Sequence, residues 1–172
     1  MILYTCGDSF TFGDELKDPK DAWPYILGTM LNFNVHNFAR NGASNDYIVK
    51  TTVEYLESNK PDIIILGWTT PDRIDIGGKT ATVNHDAIIF KRWNDTWAKE
   101  KLQSQINLME KYVLKEYNNF HCGTWIEDSY FEGMHNYIGR FVEWCYGLPK
   151  GPRGHPLEQG HQRIADEISK YI

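Results

Sequence analysis

Apolar residues follow two rhythms along this chain. Continuous β-prone runs at Ile2–Cys6 and Ile63–Leu66 are closed by Gly7 and Gly67 and read as buried strands. The second run, preceded by Pro61, suits a central parallel strand covered on both faces. Phe33–Phe38 and Phe120–Ile126 are weaker strand candidates, the former broken by Asn41-Gly42. Elsewhere the spacing is helical. Trp23, Ile26, Leu27, Met30 and Leu31 share one face, with Asp21 as cap and Pro24 in the first turn. Ser44 or Asn45 caps a helix running to about Ser58, with Ile48, Val49, Val53 and Leu56 inward. Ala98, Leu102, Ile106, Met109 and Val113 mark a long helix; Tyr137, Ile138, Phe141, Val142 and Cys145 mark a short one. Leu157, His161, Ile164, Ala165, Ile168 and Tyr171 mark the last. The stretch from Thr69 to about Trp93 is expected to be irregular, with a turn at Gly77-Gly78.

Strands alternating with helices predict an α/β fold with a mostly parallel sheet and helices on both faces. With 172 residues and no internal linker, the chain is expected to form a single domain over residues 1–172. Ligands in such sheets bind at the carboxyl ends of the strands. That selects the loops Gly7–Gly13, Arg40–Asn45, Gly67–Arg73 and Pro149–Gly160. Composition narrows the function further. At 41% hydrophobic and 24% charged the chain is an ordinary globular one, and its net charge of −5 gives no general attraction to nucleic acid. No apolar run approaches the roughly 20 residues that span a bilayer, and the N-terminus lacks a basic and an apolar leader region. No membrane partner is expected, and the chain reads as cytoplasmic. Cys6, Cys122 and Cys145 are scattered and form no paired metal or redox motif, and Cys6 and Cys122 read as small buried residues. No metal and no cofactor is expected.

Within the selected loops, Ser9 follows the first strand, where Gly7 permits a tight turn that presents its hydroxyl at the sheet edge. A free serine needs an adjacent base to act as a nucleophile, and His155, in Gly154-His155-Pro156 ahead of the last helix, is the candidate. The Gly42 N–H and the Thr69 hydroxyl, each after a strand, are candidate oxyanion donors. His161 lies in the apolar stripe of the last helix and reads as a packed or capping histidine; spaced i, i+6 from His155, it makes a poor metal pair. The mixed-charge run Asp14–Asp21 reads as a solvated loop, and Arg40, Arg73 and Arg153 as surface residues beside the site, able to orient an anionic substrate. Trp68, Trp93, Trp97 and Trp125 divide between core packing and the lining of a sugar-binding crevice.

Gly7-Asp8-Ser9, an isolated Gly42 after strand two, Gly67-Trp68-Thr69 after strand three, and His155-Pro156 followed by Gly160-His161 occur in the order of the SGNH (GDSL) hydrolases, which the chain resembles from residue 2 to residue 172. It also looks like short SGNH-like proteins of bacteriophages. The resemblance implies a flavodoxin-like three-layer α/β/α fold and hydrolysis of short acyl esters, O-acetylated carbohydrate among them. Ser9 would match the nucleophile, His155 the base, and the N–H groups of Ser9 and Gly42 two oxyanion donors. Two positions depart from the pattern. Thr69 stands where the family has an asparagine donor, and Pro152 where it has the aspartate that orients the histidine. With no acid at a matching position, the second nitrogen of His155 is expected to meet a backbone carbonyl or water. These departures keep two alternatives beside the hydrolase: a catalytically impaired carbohydrate- or protein-binding module, and an acyltransferase.

Overall fold

A computed structural model describes residues 1–76, 79–82 and 94–172. Five strands form one parallel sheet: β1 (Ile2–Gly7), β2 (Asn34–Asn37), β3 (Ile63–Trp68), β6 (Asn119–Gly123) and β7 (Tyr137–Arg140), in the order β2-β1-β3-β6-β7. Helices α1 (Ser9–Phe12), α2 (Trp23–Leu31), α3 (Asn45–Leu56), α4 (Asp95–Leu108), α5 (Phe141–Trp144) and α6 (Glu158–Ser169) connect and flank it. The continuous apolar strands are buried on both faces, as their pattern predicts. Tyr4, Cys6, Ile64, Leu66 and Trp68 pack against Ile48 and Tyr55 of α3 and Leu102 and Ile106 of α4. Leu3, Ile63 and Ile65 point the other way, into Trp23 and Leu27 of α2, Phe141 of α5 and Ile164 and Ile168 of α6. The result is the expected three-layer α/β/α arrangement. Among the described residues, no helix is long and apolar enough to cross a membrane.

Several expectations are corrected. Tyr137 and Ile138 lie in edge strand β7 instead of a helix, which is reduced to the single turn α5. Residues after Thr69 are not wholly irregular: β4 (Arg73–Ile76) and β5 (Lys79–Thr82) form an antiparallel hairpin. Gly77-Gly78 and Trp93 lie outside the described residues. The face of α3 turns to bury Ile48, Thr52 and Tyr55, leaving Val53 exposed, because Thr52 accepts the buried Tyr4 hydroxyl at 3.1 Å. The long helix departs from α geometry at Met109–Val113, which forms a π turn.

The start of α2 is capped from across the molecule. Asp21 lies in a separate 3₁₀ turn, and α2 has no side-chain cap of its own. Instead the Trp23 N–H donates to Nδ1 of His161 at 3.2 Å, which satisfies one orphan donor of the first turn. The histidine reading as a packed, capping group therefore holds, and its ring must be neutral to accept. Burial, reinforced by nearby His155, lowers its pKa from 6.5 to about 4. The unfolded chain thus binds the proton that the folded chain refuses, so stability is fully present above about pH 6.5 and is lost as pH falls toward 4. At about 1.4 kcal/mol per pH unit, His161 contributes a loss of roughly 2 kcal/mol between pH 7.5 and 5. Urea unfolding at both pH values should show that loss shrinking in His161→Gln; parallel wild-type and variant profiles would contradict it.

Candidate active site

The strand register gathers the loops selected from sequence. Gly7 pairs with Gly67, and Trp68 with Gly123, so the chain leaves β1, β3 and β6 at one edge. The strand order reverses between β1 and β3, where such sheets open a crevice. Glycine at both strand ends is a steric requirement. A Cβ on Gly7 would fall 2.4 Å, and one on Gly67 2.7 Å, from Oγ1 of Thr11, which α1 sets between them. With α1 seated there, Asp8 becomes its N-cap and Ser9 its first residue. The Ser9 N–H therefore has no intrahelical acceptor, and its hydroxyl makes no hydrogen bond among the described residues.

Gly42 reaches the same edge. Phe38 N–H donates to Thr5 O, and Arg40 N–H donates to Gly7 O at 3.1 Å, carrying the chain beyond β2 toward Ser9. Gly42 follows with φ of +68°, and a Cβ there would meet nothing within 4 Å. Thr69 is fully buried; among the described residues its Oγ1 makes no hydrogen bond of good geometry, and the buried Asp8 carboxylate is its electrostatic partner. Its backbone is held by Asn45: Thr69 N–H donates to Asn45 Oδ1 at 3.0 Å, and Asn45 Nδ2 donates to Thr69 O at 2.9 Å. Sequence reading placed Asn45 only as a helix cap, a role that Ser44 takes by accepting Tyr47 N–H.

The principal correction concerns His155. Its Nδ1 lies 2.8 Å from Oε2 of Glu15, a carboxylate, where a backbone carbonyl or water was expected. Oxygens of the same carboxylate accept the backbone N–H groups of Arg153, at 3.0 Å, and of His155, at 3.2 Å. The Glu15 side chain is 7% exposed, and its backbone adopts φ of +71°, a conformation costly for a non-glycine residue. Burial works against its charge, but the donors from Arg153 and His155 prevail and hold the carboxyl below the usual range. Gly151 completes the fit, since a Cβ there would sit 2.6 Å from the Glu15 carboxylate. The run Asp14–Asp21 is therefore only partly a solvated loop. Lys17–Lys20 are exposed, whereas Asp14 turns inward to accept Asn41 Nδ2 at 2.8 Å and Arg153 Nη2 at 2.8 Å.

A carboxylate has no proton to donate, so the Glu15 contact places the imidazole proton on Nδ1. Nε2 is then the basic nitrogen, and it makes no hydrogen bond among the described residues. The ring stands over α1, edge-on to Phe10 with centroids 5.9 Å apart. Phe10 also meets half-exposed Trp125 edge-on at 5.4 Å. Trp68 is core, donating its indole N–H to buried His121 at 2.8 Å. The arginines are paired, not simply solvated: Arg40 with Thr80 and Asp75, Arg73 with Asp8, Arg153 with Asp14. All three cysteines are buried and free, and burial pushes the Cys6 thiol up to about 12 and that of Cys145 to about 11, too high for a nucleophile at neutral pH.

No protein-family model matches the sequence, and no curated protein matches it. Solved structures do. A protein assigned to the lipolytic G-D-S-L family from Desulfitobacterium hafniense DCB-2 superposes with a TM-score of 0.70 at 17% identity, over 99% of both chains. A family two carbohydrate esterase from Clostridium thermocellum, solved with cellohexaose, gives 0.65 at 14% identity over 99% of this chain and 63% of that one. The psychrotrophic esterase EstA from Pseudoalteromonas sp., inhibited by monoethylphosphonate, gives 0.62 at 11%, over 99% and 97%. The chain therefore has the fold of the SGNH (GDSL) hydrolases, as the order of its motifs led one to expect.

Proposed function

We propose that this SGNH-fold chain is a serine esterase that cleaves short acyl esters, with O-acetylated carbohydrate as the substrate class. The observation that carries the reading is the 2.8 Å contact between His155 Nδ1 and Glu15, which leaves Nε2 free as a base beside the helical turn that begins with Ser9. Ser9 Oγ attacks the acyl carbon while Nε2 takes its proton. The resulting imidazolium is stabilised by Glu15, which stays a carboxylate throughout. The carbonyl oxygen becomes an oxyanion, received by the N–H groups of Ser9 and Gly42 with the Thr69 hydroxyl beside them. Collapse expels the alcohol, which takes the proton from Nε2. Water then adds to the acyl-serine with Nε2 again as base, and the carboxylic acid leaves.

Carbohydrate as the alcohol portion is supported by the half-exposed Trp125 ring against Phe10, an apolar face for a sugar ring at the site. The carbohydrate-esterase structures of the same fold favour the same class. A serine-directed phosphonate tests the reading without any assumption about substrate. Intact-mass analysis should show one covalent adduct on the wild type and none on Ser9→Ala. Equal labelling of the two, or none on the wild type, would favour the binding-module alternative.

A further inference from the structure

The loop carrying Gly42 is held in place by a part of the molecule that supplies no group to the chemistry. Arg73, the first residue of β4, points Nη1 at two acceptors, Asp8 Oδ2 and Ala43 O, each at 3.4 Å. Asp8 precedes Ser9, and Ala43 follows Gly42. One guanidinium nitrogen therefore lies between the two segments whose N–H groups would receive the oxyanion. The rest of the β4–β5 hairpin grips the same loop. Asp75 Oδ1 accepts the Ser44 hydroxyl at 2.7 Å and the Thr80 hydroxyl at 2.7 Å. Thr80 Oγ1 in turn accepts Arg40 Nη2 at 2.7 Å. The Asp75 N–H donates to Asp46 Oδ2 at 3.1 Å. Residues 40, 43, 44 and 46 are thus all tied to the hairpin, while Gly42, in their midst, makes no N–H hydrogen bond among the described residues.

Asp8 is what makes a cation necessary at this point. It is fully buried and accepts Phe10 N–H at 3.1 Å and Thr124 Oγ1 at 3.1 Å. Burial pushes its carboxyl upward, and Arg73 is the main influence against that. A buried carboxylate that loses its cation either takes a proton or draws in water, and both move the start of α1. Arg73 is itself part-buried, with a side chain 21% exposed, and its Nη1 carries two N–H donors for the two acceptors.

We propose that Arg73 is a positioning residue: with the β4–β5 hairpin as its support, it sets the spacing between the Ser9 and Gly42 N–H groups that together form the oxyanion pocket. This rests on the esterase reading for its catalytic consequence, but the mechanical claim stands on the contacts alone. Arg73 Nη1 is engaged by Asp8 and Ala43, so the effect is expected in turnover.

The test uses Arg73→Gln, Arg73→Lys and Asp75→Asn with two readouts. For Ser9-dependent hydrolysis of an acetate ester, Arg73→Gln should lower kcat by about 10²-fold, the scale of one oxyanion donor, with KM nearly unchanged. Arg73→Lys should recover part of it, because an ammonium keeps the positive charge beside Asp8 but on a shorter side chain. Amide hydrogen exchange reads the clamp directly. Arg40 and Ala43, whose N–H groups bond Gly7 O and Arg40 O at 3.1 Å, should exchange about tenfold faster in Arg73→Gln and Asp75→Asn. Phe38, bonded to Thr5 O at 2.8 Å, should be unchanged. Wild-type exchange at Arg40 and Ala43 in both variants would overturn the clamp, as would wild-type kcat in Arg73→Gln. If wild-type hydrolysis proves independent of Ser9, the esterase reading fails and the exchange result still decides the clamp. Should Arg73→Gln fail to fold, Arg73→Lys and Asp75→Asn carry the same comparison.

Discussion

Ser9→Ala should abolish turnover of an activated acetate ester, with kcat falling on the order of 10⁴-fold or more, and His155→Ala should lose nearly as much. Nucleophile and base act in one step: without Oγ the Nε2 lone pair has no proton to take, and without Nε2 the hydroxyl stays protonated and unreactive. The double variant should therefore be no slower than the worse single variant, because the second change removes a group already idle. Residual hydrolysis in all three should be equal, and should come from surface nucleophiles that react with any activated ester. Neither change should disturb the fold. The Ser9 hydroxyl makes no hydrogen bond among the described residues, and without the His155 ring the Glu15 carboxylate still accepts the backbone N–H groups of residues 153 and 155. Near-additive losses in the double variant would show that the two residues do not share a step. An unchanged rate in Ser9→Ala would remove the hydrolase reading altogether.

The parts of this molecule that were legible in the sequence are those with local causes. Ile63–Leu66 is apolar at every position because both faces of β3 are covered, and no amphipathic helix shows that pattern. Gly7 and Gly67 advertise strand ends because Thr11 leaves no room for a Cβ at either. Ser9, Gly42, Thr69 and His155 could be singled out because each lies next to the end of a strand or helix that a local pattern defines. What escaped was set by distant partners. Strand β7 is four residues long and lies at the sheet edge, and the apolar spacing through Tyr137, Ile138 and Phe141 fits a helix equally well. The β4–β5 hairpin has four-residue strands that owe their place to Asp8, Ala43 and Ser44. Glu15 was hidden most completely. It lies in a charged run that composition assigns to solvent, and its partner is 140 residues away. Pro152 stands where an acid would be local to His155, whereas the carboxylate that meets His155 comes from the turn after α1. The signal available was the repeated acid at Asp14-Glu15, directly after the Gly7–Gly13 loop selected as part of the site.

Glu15 is consequently the residue whose replacement separates a working site from an impaired one. Glu15→Gln keeps the length of the side chain and an oxygen for the Arg153 and His155 N–H groups, but removes the charge. A neutral amide no longer stabilises the imidazolium that forms when Nε2 accepts the Ser9 proton. Where its NH₂ meets Nδ1, it also selects the tautomer with the proton on Nε2, which cannot act as a base. Loss of the corresponding acid in a serine-protease triad costs roughly 10⁴ in turnover, and kcat should fall on that scale with KM little changed. Acidification of the wild type should not mimic this variant within the neutral range. Donors from Arg153 and His155 hold the Glu15 carboxyl below its usual range, so it remains charged until well into acid. Its contribution to the folded state follows the same sign: present above the ordinary carboxylate range, and lost as pH falls through the lowered value. Glu15→Asp should lie between, because the charge survives but the shorter side chain must reach Nδ1 from a backbone already held at φ of +71°. If Glu15→Gln turns over at the wild-type rate while Ser9→Ala is dead, the His155–Glu15 contact serves only to hold the loop before α6. The base would then be oriented by its packing against Phe10 and by Asp14, whose Oδ2 lies 3.6 Å from Nδ1.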